Sequence, residues 1–242
     1  MTGVQTCALP ISNCEIILGN GEKILATAAP AGPAFEAASI KCGVRAASGA
    51  IETVKVVDGK LEIGTIDGAP AIGICGSGLV DAVACLVQLG ILDSSGKFIE
   101  TDDPNLVERD GEKIYMLTED IFLSQRDVRE LQFAKAAIAT GWALLAEEFG
   151  IQDTDIQQVL LAGSFGSYLS PASAVKIGLV PKISVLRIVS AGNVAGEGAK
   201  MALLSTQERH GAATLLDEIK YVELSDREDF NDKFVERLAF PA

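Results

Sequence analysis

The chain is predicted to fold as an α/β domain, a mixed sheet with flanking helices, and three observations lead there. The second half alternates strand and helix: apolar runs at 158–162, 183–189 and 218–224 are separated by helix-like stretches at 170–177 and 194–206. That βαβαβ order builds parallel strand pairs. The first half carries hairpin signals, Gly19-Asn20-Gly21 between 14–18 and 23–28, and Asp58-Gly59 between 51–57 and 61–66, each a turn flanked by strand-forming residues. The composition, 48% hydrophobic over 242 residues but only 5% aromatic, suits aliphatic strands buried under helices and is enough for one large core or two small ones.

Taken in order, the first dozen residues, Met1 to Ser12, lack the basic start and long apolar stretch of a secretion signal. They read as a non-native, adapter-derived segment, so the domain itself is expected over 13–242. After the first hairpin, Pro30-Ala31-Gly32-Pro33 leads into 34–41, a short helix or a loop, with Phe35, Ala38 and Ile40 as packing candidates. Residues 71–74 supply a further strand. Gly76-Ser77-Gly78 then opens a helix whose Leu79, Val83, Leu86 and Leu89 recur at spacings of three and four, giving one apolar face. Residues 93–113 are polar, contain Gly96, Pro104 and Gly111, and are expected to be a mobile loop or small insertion. Ser124 is placed to cap a helix over 125–149, along which Val128, Leu131, Ile138, Trp142, Leu145 and Phe149 form a stripe. Lys135 falls on that stripe, where a cation must snorkel, pair with an acid or meet a ligand. The charged stretch 208–237 is expected to be a solvated face and tail.

Charge and composition exclude several classes. A net charge of −13 complements neither a nucleic-acid backbone nor an anionic membrane, so neither is expected as a partner. No apolar run approaches the ~18–20 residues of a membrane span. Cysteines at 7, 14, 42, 75 and 85 form no C-x-x-C pair, which argues against zinc and iron–sulfur ligation and for reduced thiols in the cytoplasm. His210, the single histidine, lies in a polar stretch, and no metal site is expected.

The most informative feature is a set of glycine bends. Val159-Leu160-Leu161-Ala162 breaks into Gly163-Ser164-Phe165-Gly166; Gly76-Ser77-Gly78 follows Ala71-Ile72-Gly73-Ile74; and Gly192-Asn193-Val194-Ala195-Gly196-Glu197-Gly198 follows a third apolar segment. Small residues let a ligand approach bare amides, and a helix N-terminus favours phosphate. Tight α/β turns need glycine for their own sake as well. Neither the dinucleotide G-x-G-x-x-G nor the G-x-x-x-x-G-K-[ST] loop occurs at these bends.

Read together, Ala31-Gly32-Pro33-Ala34-Phe35-Glu36, Gly73-Ile74-Cys75-Gly76-Ser77-Gly78-Leu79-Val80-Asp81, Asp127-Val128-Arg129-Glu130-Leu131-Gln132-x-Ala134-Lys135, Ala162-Gly163-Ser164-Phe165-Gly166 and Gly192-Asn193-x-Ala195-Gly196-Glu197-Gly198-Ala199 carry a resemblance. The chain, from about Asn13 to the closing Phe240-Pro241, resembles the C-terminal domain of the reductive activators of corrinoid proteins, within the sugar kinase, heat-shock protein 70 and actin ATPase superfamily. The resemblance implies a ribonuclease-H-like lobe of an actin-like ATPase, with ATP held between two lobes and its hydrolysis coupled to electron transfer. Whole members resembling this chain carry an N-terminal ferredoxin-like [2Fe–2S] domain and use ATP to drive a methyltransferase's corrinoid protein from Co(II) to Co(I). Here the cluster is expected only in a domain upstream. ATP and Mg²⁺ are the implied cofactors, and nucleotide and a corrinoid protein the implied partners, with a homodimer also compatible.

By position in that family pattern, Asn13 and Glu15 match the end of a phosphate-binding hairpin. The Asp-Ile-Gly-Thr that should precede them is replaced by Leu9-Pro10-Ile11-Ser12, which removes a carboxylate for a Mg²⁺-bound water. Asn13 and Gly76, Ser77 and Gly78 are then expected at the phosphates, Gly163, Ser164, Phe165 and Gly166 at the adenosine, and Lys135 at the ribose or base. Gly32, Asn193 and Gly196 complete the implied cofactor-binding set, and Glu15 and Glu36 are the implied catalytic carboxylates. With the opposite lobe missing, weak nucleotide binding and almost no hydrolysis are expected. A small-molecule kinase of the same superfamily and a nucleotide-dependent binding module are the rival readings.

Overall fold

The computed structural model describes residues 4–11 and 13–241. Side chains are described from Cys14 onward, Ser164 excepted, so the expectations placed on Cys7 and on the side chains of Asn13 and Ser164 lie outside the described residues. Strands β1 (Val4–Ile11), β2 (Asn13–Gly19) and β3 (Ile24–Ala29) form an antiparallel meander. The β2–β3 turn is closed by Asn20, whose side-chain oxygen accepts from the amides of Glu22 and Lys23, each at 2.9 Å. Residues 4–11, read above as foreign to the domain, thus run as a strand between two others.

Residues 34–41 form turns rather than a helix. Ala37 takes a positive φ of 58°, and a Cβ on Gly43 would overlap the Ala37 carbonyl, so close docking of two backbones sets this conformation rather than helix propensity. Strands β4 (Ala50–Val57) and β5 (Lys60–Thr65) form the second hairpin, with the short β6 (Gly73–Ile74) parallel to β4. Helix α1 (Gly76–Gln88) packs on β4.

The stretch 93–113, expected as a loop or small insertion, contributes β7 (Leu106–Arg109) and the start of β8 (Glu112–Met116), which with β9 (Phe122–Ser124) make a three-stranded antiparallel sheet. Asp110 and Gly111, both at positive φ, form its tight turn. Strand β7 is polar and largely exposed, so no apolar alternation marked it.

Helix α2 (Gln125–Phe149) is closed at both ends. Ser124 and Asp127 form a reciprocal capping box, and Gly150, at φ 87°, ends the helix in the left-handed conformation. Asp127 also accepts from the Lys41 amide at 2.9 Å, which ties the turn segment to the helix start. Beyond α2 come β10 (Ile156–Ala162), α3 (Gly163–Tyr168), α4 (Pro171–Lys176) and β11 (Ile188–Gly192). The strand expected from 183 begins only at Ile188, because residues 185–187 form a single helical turn. The chain closes with α5 (Val194–Leu204), α6 (Thr206–Glu218), β12 (Ile219–Tyr221) and α7 (Phe230–Glu236). Helices α6 and α7 lie in the stretch expected as a solvated face and tail, and neither buries a residue. Phe230 and Phe234 of α7 stack in line with Phe133 of α2, and Lys233 and Arg227 pair with Glu147.

The main sheet has the order β11-β10-β1-β2-β3-β12. All its neighbours are parallel except the two pairs that involve β2. One face packs on α2: a Cβ on Gly141 would lie 2.7 Å from the tip of the Ile16 side chain and 3.3 Å from Ala29, so any larger residue there requires Ile16 to shift. The result is a mixed α/β fold of the actin-like type. Among the described residues no helix is long and apolar enough to cross a membrane.

Candidate functional site at the strand ends

Register places the bends. Ala162, the last residue of β10, lies opposite Gly192, the last of β11, so the Gly163 and Asn193 bends leave the sheet side by side. The β1–β2 turn emerges at the same end, where Ile11 pairs with Asn13, as does the end of β3, where Ala29 pairs with Cys14. Four chain reversals thus share one sheet edge, roughly 19 Å from β11 to β3 at the usual strand spacing. Crevices outside the carboxyl ends of parallel strands are where α/β sheets take ligands.

Gly32 sits just beyond the end of β3, at φ 70°, and turns the chain toward Phe35 and Glu36. Glu15 lies on β2, exposed, on the face opposite Cys14 and Ile16; Glu36 is exposed on the turn that follows β3. Among the described residues no group of three or more His, Cys, Asp or Glu is placed to hold a metal ion.

The α1 bend reaches this edge through two rings. Phe35, after β3, and Phe165, in the β10–α3 bend, lie 5.0 Å apart between centroids at 34°. A Cβ on Gly76 would overlap the Phe35 carbonyl and come within 2.9 Å of the Phe165 ring. Gly76, Ser77 and Gly78 are all buried, covered rather than open. Cys75 provides no side-chain cap to α1, and Ala162 none to α3. The α5 start differs: Asn193 accepts from the Gly196 amide at 2.9 Å, and a Cβ on Gly196 would crowd that side chain. Asn193 and Gly196 thus have a capping role in the fold.

Lys135 is not at the bends. Only 1% exposed, it donates to the carbonyl of Ala239 and lies 5.2 Å from the centroid of the Phe240 ring. It borders a separate cleft of about 380 Å³ with Trp142, Asp153, Lys182 and Arg237. Burial, reinforced by the Arg237 cation, lowers its pKa to about 8. Gln132, a turn earlier, donates to the carbonyls of Ser95 and Leu238 at 3.0 and 2.7 Å. Sequence reading quoted this residue within a motif but gave it no role, although an amide beside an apolar stripe was a signal.

The family described as the C-terminal domain of RACo, the ASKHA domain, matches residues 12–242. The chain is 38% identical over 213 residues to the corrinoid activation enzyme RamQ of Eubacterium limosum, covering 81% of this chain and 36% of that protein. It is 26% identical over 253 residues to the [Co(II) methylated amine-specific corrinoid protein] reductase of Methanosarcina barkeri, covering 95% of this chain and 44% of that one. A solved structure, the reductive activator for corrinoid,iron-sulfur protein, superimposes with a TM-score of 0.90 at 34% identity, over 99% of this chain and 40% of the other. The chain therefore spans well under half the length of these relatives. By its fold and its match across residues 12–242, the chain belongs to the family of the RACo C-terminal ASKHA domain and is homologous to the reductive activators of corrinoid proteins.

Proposed function

We propose that this chain is the ATP-binding and hydrolysing domain of a reductive activator, which drives a corrinoid protein from Co(II) to Co(I) for methyl transfer. The observation that carries the reading is the convergence of the Gly163 and Asn193 bends and the β1–β2 turn at one sheet edge. Uncapped amides at the start of α3 suit the charge of a nucleotide. Bound magnesium would neutralise charge on the phosphates and polarise an attacking water. Glu15 and Glu36 would orient that water, and backbone amides would stabilise the charge that builds up on the transferred phosphoryl. The electron comes from an iron–sulfur centre outside this chain, and the corrinoid protein is the partner that accepts it.

Isothermal titration with Mg-ATP tests the reading. The expected result is weak binding that Gly163→Val abolishes, because valine cannot take the φ of 86° found there, with almost no turnover by this chain alone. Turnover comparable to an intact ATPase overturns the view that the chain needs a second lobe. Heat on adding sugar only in the presence of ATP favours a kinase, and heat with a corrinoid protein alone favours a nucleotide-dependent binding module.

A further inference from the structure

A cation on an apolar helix stripe must reach solvent, pair with an acid or meet a ligand, and the structure removes the first two choices for Lys135. It is buried, and among the described residues it forms no ion pair. An ammonium carries three donors; one goes to the Ala239 carbonyl, and the Phe240 ring supplies a second, weaker attraction. The other two donors find no acceptor among the described residues. Ala239, Phe240 and Gly178 all line the cleft of about 380 Å³, and a Cβ on Gly178 would lie 3.9 Å from the ammonium. The charge therefore stands at the cleft wall.

This cleft is a basic place in an acidic chain. The net charge is −13, yet Lys135, Lys182 and Arg237 meet here, from α2, the segment after α4 and the closing tail. The two carboxylates of the cleft both answer Arg237: Glu236 lies 3.9 Å from its guanidinium, and Asp153, which accepts from the Lys182 amide, lies in its field. Two cations, Lys135 and Lys182, remain without an acid partner among the described residues, a count that suits a dianion better than a single negative charge. Trp142, Phe240 and Pro241 add apolar wall. The site is also built in advance, because Gln132 donates to the Leu238 carbonyl and the Phe240 amide to the Ser94 carbonyl, each at 2.7 Å, which pins the tail over α2. We propose that this cleft is a second ligand site, which takes a small phosphomonoester: Lys135 and Lys182 hold the phosphate, and Trp142 and Phe240 face its apolar body. The site is separate from the strand-end bends and stands independently of the nucleotide reading above.

Calorimetric titration of the full chain with phenyl phosphate, inorganic phosphate and benzoate tests the assignment. Phenyl phosphate should bind tightest, since inorganic phosphate lacks the apolar body and benzoate carries a single charge. Trp142, the chain's single tryptophan, stands in the cleft wall, so its emission should change as the ligand binds. A charge-assisted hydrogen bond from a buried ammonium is worth about ten- to hundredfold in affinity, and Lys135→Met should weaken phenyl phosphate by that factor. Lys182 is exposed, and Lys182→Gln should cost about fivefold or less. A proton readout separates a direct role from a structural one: burial lowers the Lys135 pKa to about 8, and a neighbouring dianion favours the charged form. Binding at pH 8 should therefore take up a fraction of a proton, seen as buffer-dependent heat, and Lys135→Met should abolish that uptake. No binding to the parent, equal affinity in the folded Lys135→Met variant, benzoate binding as tightly as phenyl phosphate, or heat without a change in Trp142 emission each overturns the proposal. Mg-ATP binding that weakens by the same factor in Lys135→Met overturns the separateness of the two sites. Absence of Mg-ATP binding while phenyl phosphate still binds overturns the nucleotide reading and leaves the cleft assignment standing.

Discussion

Helix α2 and the α5–α6 pair have nearly the same number of residues, yet they are opposites in packing. Helix α2 buries most of one side and much of the other, from Asp127 to Ala146, and Leu144 is 0% exposed. Helices α5 and α6 bury no residue at all, and Leu204 is 80% exposed although it is as apolar as Leu144. The difference shows that local caps and helix propensity suffice to shape a helix, whereas only tertiary contact makes it part of the core. Both elements are capped; only one is packed.

The sharpest way to break the comparison is truncation in each. Leu144→Ala is expected to cost about 2–5 kcal/mol, and Leu204→Ala within about 0.5 kcal/mol, both read by urea denaturation. Equal losses would mean that α5 packs in solution after all.

Lys135 adds a charge to the packed side. Its folded pKa, lowered to about 8, lies below that of the unfolded chain, so the folded state releases a proton first. The penalty is full below pH 8 and relieved as pH rises from about 8 toward the ordinary lysine value. Lys135→Met should therefore stabilise the protein at pH 7 by on the order of 1–3 kcal/mol and flatten stability above pH 8, measured by melts across that range.

Caps give a smaller contrast. Ser124→Ala should cost about 1 kcal/mol of global stability. Asn193→Ala should only fray α5, seen as faster amide exchange with a global change below about 0.5 kcal/mol. Smallest of all, Glu197→Gln, which removes an exposed pair with Lys200 at 2.8 Å, should change stability by less than about 0.5 kcal/mol.

What the sequence makes legible is local. Asn20-Gly21, Asp58-Gly59, Ser124 and Gly150 specify turns and helix ends by their own chemistry, and each feature stands where it was expected. Asp110-Gly111 carried the same signal inside a polar stretch and was passed over there, because β7 lacks an apolar face. Residues 34–41 read as a short helix or a loop, and the docking of Gly43 on Ala37 decides for turns. The bends of the candidate site were visible as glycines, but their meeting was not. It depends on β10 and β11 standing next to each other and on Phe35 and Phe165 touching across 130 residues, properties of strand order that no local window contains. Phe35 was marked only as a packing residue, and the covering of Gly76 was beyond reach of the sequence.

The tail that holds Lys135 has a consequence for biosynthesis. Strand β12 pairs with β3, the Thr27 hydroxyl donates to the Val222 carbonyl at 2.7 Å, and the Phe240 amide donates to the Ser94 carbonyl at 2.7 Å. Every one of these long-range closures waits for residues translated after the other five strands of the main sheet and α2. A nascent chain emerging N-terminus first therefore carries an open sheet edge and an uncovered lysine until residues 219–240 leave the ribosome, and during that interval it is most exposed to chaperones and to aggregation.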